Sequence, residues 1–265
     1  MPRTTSPTSP QERAALPQAA AIAPLAPLAL GELPRAALSA MAAAGAELAE
    51  LERLLAKSAD NVVGLLLERE RNFYEWTHYP AGDVYDKETG AQFYYHAHPK
   101  AERPGEHGHF HAFLRARGMP KGTRAALLSR TRPAAAADDA LCHLVAVAMS
   151  EKGQPIELFT TNRWVTDETW YAARDVIAML ERFKVELLRP SWPVNRWITA
   201  LLRLFRPQIE ALVLERDRVM GEWQRRHPGL DVLEDRRLPV LSRIPISPEA
   251  QTAAALAALK RRPRA

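Results

Sequence analysis

The chain has 265 residues, 47% of them hydrophobic, which is enough apolar material for one large domain or two small ones. Its 36 Lys and Arg against 31 Asp and Glu give a formal charge of +5, much of it in the C-terminal LKRRPRA, so the charge says little about the folded body. The sequence shows no basic recognition motif, which argues against nucleic acid as a partner.

Cys142 is the only cysteine, which excludes intramolecular disulfides and zinc sites built from CxxC pairs. A chain without disulfides suits a reducing compartment, so we expect a cytoplasmic protein. No apolar run approaches the roughly 18 residues that a membrane crossing needs, so we expect no membrane contact. A small-molecule substrate is compatible with this composition, and nothing in the sequence sets an oligomeric state.

Composition and periodicity divide the chain into three segments. Residues 1–31 are rich in Pro and Ala without periodicity, which predicts a disordered arm. Residues 32–226 carry the regular patterns, and because no linker divides them we predict a single α+β domain with a histidine-rich sheet face. Residues 227–265 are predicted to form a C-terminal extension with a basic tail.

The first regular patterns are helical. Apolar residues recur at helical spacing from residue 35 to about residue 76, with a break at KSADN, which predicts two helices. Ser58 or Asp60 is expected to cap the second helix.

Strand patterns follow. Aromatic and β-branched residues around a DKETG turn predict a β-hairpin, and another strand is expected from about His107 to Arg115. LCHLVAVAMS and IELFTTNRW predict two further strands, and helical character returns after Thr166. The predicted fold class is therefore α+β, with a central antiparallel sheet of about four to five strands flanked by N-terminal and C-terminal helices.

The segment YYHAHPKAERPGEHGHFHAF holds five of the eight histidines. Side chains alternate across a strand, so His96 and His98 share one face, as do His107, His109 and His111. If the two strands pair as a hairpin, His98 lies opposite His107 and His96 opposite His109. All five imidazoles then share one face of the sheet.

The opposite face of the same strands carries Phe93, Tyr95 and Phe110. These large side chains should meet the helices, which leaves the histidines on the other side of the sheet. His143 lies on a later strand and adds a sixth imidazole if that strand lies beside the pair.

A metal ion explains such a cluster, because neutral imidazoles can hold zinc, iron or manganese and leave a position open for water. Our predicted ligands are His96, His98 and His109, with His107 and His111 as substitutes or outer partners.

The loop between the two histidine strands carries two carboxylates that we predict to be catalytic candidates. Glu106 and Glu102 could each accept the second N–H of a ligand histidine or act as a general base beside bound water. His111 completes the candidate catalytic set. Both glutamates also fit an ordinary solvated loop.

Two short patterns resemble known families. Gly90, His96, His98 and Glu102 resemble the first cupin motif, with Gly108 one residue early. HGHFHAF resembles the histidine triad of nucleotide hydrolases and transferases, and this resemblance implies that the middle histidine, His109, attacks phosphorus.

A broader resemblance covers roughly residues 60–225. The blocks NVVGLLLERE, FYEWTHYPAGDVYD, YYHAH, GEHGHFHAF, LFTTNRWVTDETW and SWPVNRWITALLRLFRPQIE occur in order and resemble an uncharacterised bacterial family known only as domain of unknown function 6969. The resemblance implies no activity.

Three functional hypotheses remain open at this point. The first is a metal-dependent enzyme with a single divalent ion on the histidine face. The second is a non-catalytic protein whose histidines form a hydrogen-bonded network or a partner surface. The third is a metal-free nucleotide hydrolase or transferase of the histidine-triad type.

Overall fold

The computed structural model describes residues 20–68, 72–127, 129–131 and 135–262. Within these ranges six strands form one antiparallel sheet in which each strand pairs with the next along the chain. The predicted α+β class is confirmed, with one strand more than the four to five expected. The strands are β1 (Tyr79–Tyr85), β2 (Ala91–His96), β3 (Gly108–Arg115), β4 (Leu141–Met149), β5 (Pro155–Thr161) and β6 (Val240–Pro245).

Helices lie on both sides of the sheet, before it and after it in the chain. None of the described helices is long and apolar enough to cross a membrane. The helices are α1 (Arg35–Ala56), α2 (Val62–Leu67), α3 (Arg163–Thr166), α4 (Ala173–Leu180), α5 (Trp192–Leu204), α6 (Arg206–Arg226) and α7 (Pro248–Arg261).

The break between α1 and α2 was predicted, but its capping residue was not. The Asn61 side chain accepts the backbone N–H groups of Val63 and Gly64 at 3.0 and 3.1 Å. The expectation of Ser58 or Asp60 as the cap was wrong, because Asn61 is the extended residue that directly precedes the first helical turn.

One face of the sheet packs on the helices through large apolar side chains. Phe93, Tyr95 and Phe110 have no exposed surface. The ring of Phe110 lies 5.6 Å from that of Trp197 in α5, centroid to centroid. The predicted core face is therefore confirmed, and burial of aromatic side chains of this size is a main source of stability.

The C-terminal segment belongs to the same folded body as the sheet. The sixth strand, β6, pairs with β5, and the hydroxyls of Thr160 and Ser242 lie 2.7 Å apart across the pair. The last helix, α7, packs on α1, so closely that a Cβ at Gly45 would lie 2.1 Å from the Thr252 hydroxyl. The segment predicted as an extension thus contributes a strand and a packed helix.

The end of the N-terminal arm that the structure describes lies along β6. The backbone N–H of Ala20 donates to the carbonyl of Arg237, and that of Leu25 to Arg243, both at 2.8 Å. Residues 1–19 lie outside the described ranges, and disorder there stays a prediction.

Candidate metal centre

The pairing of β2 with β3 brings the predicted histidines together. His96 lies opposite His109, and Tyr94 lies opposite His111. Because the side chains alternate, His96, His109 and His111 share the face opposite the one that carries Phe93, Tyr95 and Phe110. All three are buried, with 7, 1 and 0% of their surface exposed, so this face is not an open surface of the protein.

Three of the imidazoles converge. His96, His98 and His109 each offer a nitrogen, and these nitrogens all lie within 4.8 Å of one another. The Nε2 atoms of His96 and His109 are 2.7 Å apart. This is the trio predicted from the sequence, although His98 lies two residues beyond the end of β2. We call these three residues the histidine trio.

The loop between β2 and β3 supplies a carboxylate to two members of the trio. The Glu106 Oε1 atom makes a very short hydrogen bond with Nδ1 of His109. Glu102 Oε2 lies 3.4 Å from Nδ1 of His98. A carboxylate accepts a hydrogen bond from the ring, so it fixes the proton on Nδ1 and leaves Nε2 as the nitrogen with a free lone pair. Both predicted catalytic glutamates therefore contact a predicted ligand.

Glu106 is itself held by the loop. Arg103 donates to its second carboxylate oxygen at 3.0 Å, and the guanidinium lies 4.4 Å from the centre of the Phe159 ring. Burial raises the pKa of the Glu106 carboxyl, while the charge of Arg103 opposes that rise. Arg103, Glu106 and His109 thus form one hydrogen-bonded series that orients the His109 ring.

A second pair of histidines extends inward from the trio. His111 Nδ1 lies 3.0 Å from His143 Nε2, and His143 Nδ1 lies 3.3 Å from the Thr161 hydroxyl. We call His111, His143 and Thr161 the inner chain. The His111 ring centre is 4.8 Å from that of His109, and its Nε2 has no partner among the described residues. His111 therefore borders the trio without being part of it.

A β-bulge explains why His143 lies on this face. Opposite Ala112 stands Val145, but opposite Phe113 stands His143, so one residue of β4 is skipped. Without this irregularity, strict alternation would place Leu144 on the histidine face and His143 in the helical core.

His107 lies apart from the other four imidazoles of the predicted set. Its Nδ1 is 2.6 Å from the hydroxyl of Tyr95, a core-face residue, and its ring stacks on Phe73 at 5.4 Å. The pairing of β3 with β2 begins only at His109, so alternation no longer controls the direction of the His107 side chain. The structure therefore does not bring His107 into the ligand group.

Burial keeps the buried imidazoles neutral. It lowers the pKa of His96, His109 and His111 well below the usual range, and it lowers the pKa of His143 to about 3. The cause in each case is first the loss of water around the charged form. Neutral imidazoles are the form that binds a metal ion, so no proton has to leave a charged ring near pH 7.

Three residues near the trio were missed by the sequence reasoning. The Trp76 ring lies 4.0 Å from that of His98, and the His78 ring stacks at 3.6 Å on Tyr94, the neighbour of His111. Arg103 holds Glu106, as described above. The aromatic-rich NFYEWTHY before β1 was a signal for the first two, whereas nothing in the sequence distinguishes Arg103 from other loop cations.

Comparison with known proteins gives one result. A family model described as Domain of unknown function (DUF6969) matches residues 42–246, which include all six strands and the whole histidine cluster. Curated proteins and solved structures gave no match. Because the family model covers well over half of the chain, this protein belongs to the DUF6969 family.

Proposed function

We propose that this protein is a metal-dependent enzyme that holds one divalent ion with His96, His98 and His109. The observation that carries the proposal is the convergence of three ring nitrogens within 4.8 Å, with two of the rings hydrogen-bonded at Nδ1 to carboxylates. Carboxylate–imidazole pairs of this kind support metal ligands in many proteins.

The close contact inside the trio also supports a cation at this place. Because Glu106 accepts a hydrogen bond from Nδ1–H of His109, Nε2 of His109 carries no proton, and its 2.7 Å contact with Nε2 of His96 needs the proton of His96. A metal ion would bind both Nε2 lone pairs once the His96 proton lies on Nδ1 of the same ring, an atom that has no partner among the described residues. Tetrahedral bonds of about 2.0–2.1 Å place ligand nitrogens about 3.3 Å apart, so a small rotation of the two rings is sufficient.

An all-imidazole ligand set suits zinc or iron better than manganese, and three protein ligands leave a position for water or substrate. Glu102 is the better general-base candidate, because its carboxylate is half exposed and makes only a long contact with His98. The Glu106 side chain is only 9% exposed and serves mainly to position His109. His111 is placed to contact a bound ligand through its unpaired Nε2.

The inner chain favours the second hypothesis, in which the histidines form a structural network. His111 and His143 hydrogen-bond to each other, and His143 to Thr161, without a carboxylate on either ring. We assign the network role to these residues and the metal role to the trio. The third hypothesis has less support, since a nucleophilic His109 needs a free nitrogen facing substrate, and both of its nitrogens have protein partners.

The test is elemental analysis of protein purified without a histidine tag. We expect about one zinc, iron or manganese ion per chain, and almost none in the double variant His96→Ala, His98→Ala. His143→Gln is the matched control, because it removes a buried imidazole of the same face but no proposed ligand. A metal content far below one per chain that does not rise when zinc, iron or manganese is added would rule out the proposal.

A further inference from the structure

The segment that leads into β1 exposes three large aromatic side chains next to the trio. Phe73, Tyr74 and Trp76 have 40, 61 and 43% of their surface exposed. Single exposed aromatic residues are ordinary, but three within four residues form a patch. We call these three residues the aromatic segment.

The backbone of the aromatic segment is held in place. The N–H of Trp76 donates to the carbonyl of Ala97 at 2.9 Å, and the N–H of Tyr74 donates to the buried hydroxyl of Tyr79 at 2.7 Å. Trp76 has a φ of +68°, a left-handed conformation that bulky residues rarely adopt. The surrounding contacts therefore fix an unfavourable backbone in a way that leaves the indole ring exposed, a pattern often seen at binding sites.

The aromatic segment lies where the trio comes closest to solvent. The His98 side chain is 16% exposed, whereas that of His109 is 2% exposed. The Trp76 ring packs against the ring of His98, with 4.0 Å between centroids and 62° between the planes. A ligand that reaches the metal from the His98 side therefore passes the exposed face of Trp76.

The charge of the site indicates which metal-binding group such a ligand would carry. Three neutral imidazoles leave the two positive charges of a divalent ion uncompensated, and among the described residues only Glu106 places a carboxylate in a short hydrogen bond with the trio. An anionic oxygen donor at the open position would lower the electrostatic free energy of the site.

We propose, on the basis of the metal-dependent function above, that the aromatic segment is the substrate-binding wall of the metal centre. The substrate is a small molecule that carries an aromatic ring beside an anionic oxygen. The oxygen binds the ion and the ring stacks on Trp76, with Phe73 and Tyr74 extending the apolar surface.

The experiment compares two metal-binding probes on the cobalt(II)-loaded protein, whose visible absorption reports a change of ligand. Benzohydroxamate and acetohydroxamate have the same metal-binding group and differ in a phenyl ring against a methyl group. We expect benzohydroxamate to bind about threefold to tenfold more tightly, the range that one aromatic contact supplies. In Trp76→Leu the two probes should differ by less than about twofold, while Trp76→Phe keeps most of the preference.

The control variant is Trp192→Leu, which replaces another half-exposed tryptophan at the start of α5, a helix on the opposite face of the sheet. It should keep the preference unchanged. If Trp76→Leu loses cobalt, Tyr74→Leu replaces it, because Tyr74 has no ring contact with a histidine, and a reduced preference is again the expected result.

The outcomes separate the two proposals. If the protein binds no cobalt, both this inference and the metal-dependent function fail. If it binds cobalt but shows equal affinity for the probes, or keeps the preference in Trp76→Leu, only the aromatic wall is ruled out. A dimer in sedimentation that dissociates in Trp76→Leu would also overturn the inference, because it would show that a second copy of the chain covers the patch.

Discussion

The trio and the inner chain are built from the same residue type on the same sheet face, yet their partners differ. In the trio, His109 and His98 each have a carboxylate at Nδ1, and two Nε2 atoms meet at 2.7 Å. In the inner chain, His111 and His143 bond to each other and to a hydroxyl. Burial alone does not make an imidazole a metal ligand. The group at the far nitrogen decides how strongly the near one can donate.

The trio and the inner chain have different partners because they lie beside different parts of the chain. The trio lies under the loop between β2 and β3, which supplies Glu102, Arg103 and Glu106. The inner chain lies between strands, and the buried carboxylate of Glu168 accepts the backbone N–H of His143 at 2.8 Å and does not bond to its ring. Loop residues therefore supply carboxylates at one end of the face, and strand residues join the histidines at the other end through ring and hydroxyl hydrogen bonds.

The largest expected effect is on metal affinity when a member of the trio is removed. His109→Ala deletes a ligand and leaves Glu106 without its imidazole partner, so the loss should exceed the 10- to 100-fold that removal of a ligand's hydrogen-bond partner costs. Competition against a chelating dye measures the affinity. His143→Gln should stay within about threefold of the unsubstituted protein, since it changes only the inner chain. Equal losses in the two variants would remove the distinction between trio and inner chain.

The next effect concerns the orientation of His109. Glu106→Gln keeps the size of the side chain but removes the charge that accepts the Nδ1 proton, so metal affinity should fall about 10- to 100-fold. The same dye competition measures it. Circular dichroism should show an intact fold, and an unchanged affinity would mean that Glu106 does not support a metal ligand.

The pH dependence of the free energy of unfolding tests whether the fold keeps His143 of the inner chain neutral. The pKa of His143 is about 3 in the folded protein, lowered first by burial and then by the charge of Arg216, against about 6.5 for an unperturbed histidine. Above pH 6.5 the ring is neutral in both states and its contribution to stability is complete. As the pH falls below 6.5, the unfolded chain takes up a proton that the folded chain does not, so the free energy of unfolding decreases.

Each such proton contributes a slope of about 1.4 kcal/mol per pH unit. Urea unfolding between pH 6 and pH 4, with a chelator present to keep the protein free of metal, should therefore show a shallower decline in His143→Gln, by about that amount. Parallel curves for the two proteins would mean that His143 is not held neutral by the fold.

Alternation along the strands predicted much of this site, and its limits explain the rest. It placed His96 opposite His109 because both lie inside regular strands. It failed for His107, which lies outside the paired part of β3, and it could not place His143, whose face is set by a bulge. A bulge depends on packing between strands, so the period of the sequence does not reveal it.

The fold was likewise predictable where the signal lies within a short stretch of sequence, and was not where it depends on residues far apart in the chain. The β1–β2 hairpin was predicted from the DKETG turn, a local signal. The sixth strand was missed because VLSRIP is short, ends in a proline and pairs with β5, about 80 residues earlier in the chain. Contacts over such distances leave no periodic trace in a single sequence.

The smallest expected effect distinguishes the two carboxylates of the trio. Glu102 is half exposed and lies 3.4 Å from His98, a long and weak hydrogen bond, whereas Glu106 is buried against His109. Glu102→Gln should therefore reduce metal affinity by less than about threefold, because water can replace an exposed acceptor. If Glu102 is the general base, the same variant will lower the turnover of any substrate identified while the metal content stays unchanged. A fall in affinity as large as that of Glu106→Gln would instead show that His98 depends on its carboxylate as His109 does.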